Sequence, residues 1–75
     1  MTYVDTLLTL NLDISCDMKI IVSDLLGQEL LEVHNGFADA GLFTRTIKTK
    51  DLAPGVYLLK ISINGYHIIE KIIVY

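Results

Sequence analysis

The chain has 75 residues, 52% of them hydrophobic and 20% charged, with a net charge of −3 when histidine is neutral. That length sets one small domain, residues 1–75, which buries only about 60% of its unfolded surface, and the acidic balance excludes the basic footprint of a nucleic-acid or anionic-lipid binder. A single cysteine, Cys16, excludes an intramolecular disulfide or a cysteine-based zinc module, and no apolar run reaches the roughly 20 residues of a spanning helix.

The opening residues do not form a secretory leader, because Asp5 and the threonines interrupt the apolar positions. If the domain is exported, the export signal lies upstream in a longer parent chain, or the domain is itself the signal. Turn-forming clusters recur at residues 13–15, 24–27, 35–41, 51–55 and 64–65. The runs between them are roughly 6 to 10 residues long, the spacing of an all-β sandwich.

The first strand is expected over Thr6–Leu12, with Leu8, Leu10 and Leu12 on one face and Thr9 and Asn11 on the other. A second strand is expected over residues 17–23. Met18, Ile20 and Val22 point one way, and Lys19, Ile21 and Ser23 the other. Asp24-Leu25-Leu26-Gly27 then reads as a type I turn. Asp suits its first position, and Gly its fourth, where a left-handed residue starts a bulge. A third strand follows over residues 28–34, with no clear choice of face. A helix over residues 25–34 is the weaker reading, since Gly27 and the neighbouring β-branched strands oppose it. Residues 35–41 read as a loop.

The fourth strand spans residues 42–48, and its face is again ambiguous. Residues 49–53 lead into Pro54-Gly55, read as a type II turn in which Pro pre-sets the second position and Gly accepts positive φ at the third. The fifth strand, residues 56–63, puts Tyr57, Leu59, Ile61 and Ile63 on one face and Lys60 and Ser62 opposite. Asn64-Gly65 is the strongest short hairpin signature present, because a type I′ turn needs positive φ at both central residues. The sixth strand, Tyr66–Val74, is apolar on both faces at its end. Such a strand is usually central or covered, and on an exposed edge it invites pairing with another chain.

No catalytic constellation is assembled. His34 and His67 have no nucleophile or carboxylate at a recognised spacing, so both read as ordinary strand histidines. Cys16 reads as a passive thiol on a strand edge. Asp13 and Asp17, with Asp5, Asp39 or Asp51, could contribute to a calcium site, but no D-x-D-x-D-G loop occurs and solvated turn aspartates are the default. The glycines form no phosphate loop, and nothing in the pattern asks for a cofactor. Tyr57 is expected to pack with its hydroxyl at the rim, while Tyr75 is the freest aromatic.

Three pieces occur together and in order: Ile20-x-Val22-x-Asp24-x-x-Gly27-Gln28-x-Leu30, then Leu52-Ala53-Pro54-Gly55-Val56-Tyr57-x-Leu59-x-Ile61, then Asn64-Gly65 followed by Lys71-Ile72-Ile73-Val74. Together, over about residues 6–75, the chain resembles the C-terminal sorting domains of the type IX (Por) secretion system of Bacteroidetes. That resemblance implies an immunoglobulin-like antiparallel β-sandwich of about six to seven strands, with no enzyme activity. It implies transit through the periplasm behind an upstream signal peptide, with delivery of an upstream cargo to the outer-membrane surface or the outside. The implied partners are the outer-membrane translocon and a sortase-like peptidase that removes the domain from many cargoes.

Gly55 and Tyr57 match the family's G-x-Y motif, Gly65 its hairpin glycine, Lys71 the lysine before the final apolar strand, and Gly27 the glycine after the aspartate of the second strand. The recognition signal is therefore expected at Gly55, Tyr57, Gly65, Lys71, Ile72, Ile73, Val74 and Tyr75. Two departures stand out. The chain opens Met1-Thr2-Tyr3-Val4-Asp5 where members carry an Asn-Pro segment, so the first strand is expected to be incomplete, and Val74-Tyr75 lacks the basic end many members show. A homodimer through an open strand edge is a further expectation. The rival reading is a generic immunoglobulin-like or fibronectin type III-like adhesion or spacer module. A carbohydrate-binding module would need an aromatic platform, and the chain has no Trp.

Overall fold

A computed structural model describes residues 6–75, with side chains from Leu7 onward. The opening residues 1–5, including Asp5 and the segment that departs from the family pattern, lie outside the described residues. Six antiparallel strands follow in order: β1 (Thr6–Leu12), β2 (Cys16–Ser23), β3 (Glu29–Ala38), β4 (Gly41–Ile47), β5 (Gly55–Ile63) and β6 (Tyr66–Val74), with a 3-10 turn at Thr49–Asp51. They form a two-stranded sheet, β1-β4, and a four-stranded sheet, β3-β2-β5-β6. The two pack face to face as a small β-sandwich.

Alternation puts the core between the sheets. Met18, Ile20 and Val22 of β2 and Tyr57, Leu59 and Ile61 of β5 meet Leu12, Phe43 and Ile47 of the smaller sheet. β1 pairs with β4 along all seven of its residues, from Thr6 opposite Ile47 to Leu12 opposite Gly41. Phe43 and Ile47 settle which face of β4 is buried. Cys16 lies in this core, not on an edge, because β2 starts one residue earlier than its apolar run suggests.

β3 runs through most of the stretch read as a loop, as far as Ala38, and only Asp39 and Ala40 join it to β4. Two bulges explain why its face was ambiguous. The register with β2 shifts between Ile20 and Ile21 and again between Val22 and Ser23, which leaves Val33 and Leu30 as extra residues. Each bulge reverses the alternation. Leu31 therefore faces inward between the two bulges, Val33 is half-buried at the second, and Ala38 faces inward beyond it. Gly36, at φ 143°, lets the strand continue where the sequence resembles a turn.

The Asp24–Gly27 turn is as the sequence implies. The Gly27 amide donates to the Asp24 carbonyl at 3.1 Å, and the amides of Leu26 and Gln28 both donate to Asp24 Oδ1 at 2.9 Å. Gly27 takes φ 92°.

The Pro54-Gly55 segment differs from the type II turn expected there. Gly55 is the first residue of β5, opposite Val74, and its φ of 158° is far from the +80° of that turn. The corner is closed by a side chain instead. The Tyr57 hydroxyl donates a short hydrogen bond to the Ala53 carbonyl, four residues back, in the manner of a tyrosine corner. Tyr57 is thus both core and clasp. Tyr57→Phe keeps the ring and leaves that carbonyl unpaired. It should cost about 1–2 kcal/mol, read as a lower midpoint with unchanged slope in urea unfolding.

Candidate functional site

Two strands cannot cover four. Centre to centre, the smaller sheet is about 5 Å wide and the larger about 14 Å, at one strand spacing per gap. The uncovered part is β6. Its sequence suggests a central or covered strand, but among the described residues it is the outermost of its sheet. Only residues at its C-terminal end are shielded: Val74 is buried opposite Gly55, and Ile72 is half-buried opposite Tyr57. Tyr66 and Ile68 remain exposed on the core-side face, and Ile69 (59% exposed) and Ile73 (52%) on the outer face.

The Asn64-Gly65 turn determines which backbone groups of β6 are free. Asn64 takes φ 48° and Gly65 φ 84°, a type I′ turn, with Ile63 opposite Tyr66. In such a two-residue hairpin the flanking pair exchanges both hydrogen bonds, and bonding then alternates along the ladder. Tyr66, Ile68, Glu70, Ile72 and Val74 therefore bond to β5. His67, Ile69, Lys71 and Ile73 direct their N–H and C=O groups away from the sheet. The register is unbroken over all nine residues, so no bulge blunts this edge. β3, the opposite edge of the same sheet, carries two bulges.

The expected recognition residues thus separate into two groups. Gly55, Tyr57, Gly65 and Val74 shape the corner, the hairpin and the core. Lys71, Ile73 and Tyr75 are exposed, and Ile72 lies between the groups. His67, expected to be an ordinary strand histidine, and Ile69 lie on this edge but outside the expected recognition signal. The parity of the Asn64-Gly65 hairpin is the signature that would have found them.

Elsewhere the chemistry is structural. His34 donates from Nε2 to the Gly36 carbonyl at 3.2 Å and stands edge-on to Phe43, with ring centres 5.0 Å apart. Arg45 lies over the Phe43 ring, with Cζ 4.7 Å from its centre. His67 Nδ1 is hydrogen-bonded to Ser62 Oγ at 3.0 Å across the β5–β6 ladder. Among the described residues no group of three or more His, Cys, Asp or Glu is placed to hold a metal ion. No helix among them is long and apolar enough to cross a membrane.

The family model of the secretion system C-terminal sorting domain matches residues 5–75. No curated protein and no solved structure shows significant similarity to the chain. The match takes in the Asp24–Gly27 turn, the Tyr57 corner, the Asn64-Gly65 hairpin and β6. The chain belongs to the secretion system C-terminal sorting domain family, the non-catalytic domains by which type IX secretion directs a cargo in the same chain to the cell surface or the outside.

Proposed function

We propose that the 75-residue chain is a single sorting domain that passes through the periplasm and is read by the outer-membrane translocon through the free edge of β6. The observation behind this is the unbulged edge itself, with four residues whose backbone groups point outward and with Ile69 and Ile73 exposed beside them. Strand addition to such an edge draws affinity from main-chain hydrogen bonds and specificity from alternate side chains. Gly55, Tyr57, Gly65, Ile72 and Val74 hold the edge in place, and Lys71, Ile73 and Tyr75 present it. The domain acts as a signal without catalysis, and a sortase-like peptidase is the partner that releases the cargo.

Hairpin parity supplies a test that spares the fold. Ile69→Pro removes an N–H that points away from β5, so the β5–β6 ladder keeps its bonds and stability should change by about 1 kcal/mol or less. A reporter fused ahead of this variant, in a type IX-competent host, should collect in the periplasm, while the Ile69→Ala fusion reaches the surface. Surface delivery of a folded Ile69→Pro fusion at the normal level would refute reading through this edge.

A further inference from the structure

The outer face of the four-stranded sheet is polarised in charge. Of the six lysines and arginines in the chain, three lie on this face. Lys19 of β2 stands opposite Ser62, Lys60 of β5 opposite Ile69, and Lys71 of β6 opposite Leu58. Each is one strand across and two residues along from the last, so they form a diagonal with steps of about 8 Å that ends on the free edge. The acids of the same face are Glu29 and Glu32 of β3, opposite Ser23 and Ile21, and Asp17 of β2, opposite Phe37 and two residues beyond Lys19; none belongs to β5 or β6. β6's own carboxylate, Glu70, is on the other face, opposite Leu59. A domain with a net charge of −3 thus shows a cationic, partly apolar margin where its backbone is unpaired.

We infer that the strand received by β6 is an acidic one from another protein, with carboxylates toward Lys71 and Lys60 and apolar residues against Ile69 and Ile73. This rests on the reading of β6 as the recognition edge and adds the chemistry of its partner. A second copy of this chain is the poorer occupant. Antiparallel pairing of two full β6 strands is centred on Glu70, the midpoint of Tyr66–Val74, and sets two glutamates directly opposite each other. Complementary charge across the new pair steers encounter and fixes register.

The probe is a synthetic nine-residue peptide, Thr-Val-Thr-Asp-Thr-Val-Thr-Asp-Thr, which carries valine and aspartate in alternation along one face of an extended strand, titrated into the isotope-labelled 75-residue chain at low and high salt. Its counterpart with lysine in place of aspartate is the control. Binding of the acidic peptide should protect the amides of His67, Ile69, Lys71 and Ile73 from exchange and weaken as salt rises. The Lys60→Glu/Lys71→Glu variant should bind it about tenfold more weakly or worse, since two attractive pairs become repulsive. Equal binding of the lysine peptide, protection mapped to β1 or β4, self-association of the chain in place of peptide binding, or a preference for anionic phospholipid vesicles would each overturn the inference. In the secretion assay, normal export of the folded double charge reversal refutes the acidic partner alone. Normal export of the Ile69→Pro fusion refutes the edge reading itself.

Discussion

Ile20→Asp should leave the chain without a cooperative thermal unfolding transition. Ile20 is 0% exposed and sits at the centre of β2, the strand that joins β3 to β5. A carboxylate there lies opposite His34, whose Nε2 already donates to the Gly36 carbonyl, and its other neighbours between the sheets are apolar. Lost burial alone costs about 2–3 kcal/mol, and a poorly paired buried charge adds several more. A domain of this size holds only about 5 kcal/mol in total. The loss therefore exceeds the reserve, and far-UV circular dichroism during a melt should show a flat, non-cooperative trace. Ile20→Val, which removes one methylene, should cost about 1 kcal/mol and keep a sharp transition at lower temperature. Cooperative melting of the aspartate variant would mean that β2 is not where the sandwich holds together.

The parts of this fold that depend on short-range chemistry were legible in the sequence. Asp24-x-x-Gly27 is a turn because one carboxylate oxygen can take two amides at once, and Gly27 can adopt φ 92°. Asn64-Gly65 is a hairpin for a similar reason, and from it the parity of the whole β6 edge follows. β3 was not legible, because a bulge is a relation between two strands. Nothing in Leu30 or Val33 alone says that β2 lacks a residue to oppose it. The Pro54-Gly55 corner was misread in the same way. Local preference favours a type II turn, but the Tyr57 hydroxyl claims the Ala53 carbonyl and draws Gly55 into the ladder opposite Val74. β6 was harder still. Its two apolar faces suggest a covered strand, and only the pairing order β3-β2-β5-β6 places it on the edge. Ile21 carries the same lesson. It belongs to the outer face yet is buried, so that face is less bare than alternation suggests.

Deleting residues 71–75 should abolish surface delivery of a fused cargo, and the question is by which route. The deletion removes Lys71 and Ile73 from the free edge, and with them half of its outward-facing backbone groups. It also removes Val74 and Ile72 from the core and strips partners from Gly55, Val56, Tyr57 and Leu58. Burial of one valine and half an isoleucine contributes about 2–4 kcal/mol, a large share of what a domain this small possesses. The truncated domain should therefore lose both its β-rich circular dichroism and its export. Removing Tyr75 alone separates the two effects. That residue is 79% exposed and follows the last paired position, so its deletion should leave the melting temperature unchanged within about 2 °C. If the translocon reads a folded edge, the Tyr75 deletion is folded and exported at a reduced level, the Ile69→Pro variant is folded but retained, and the five-residue deletion is unfolded and retained. Export of the unfolded five-residue truncation would place the address in a linear stretch before Lys71, and β6 would then matter only as a strand.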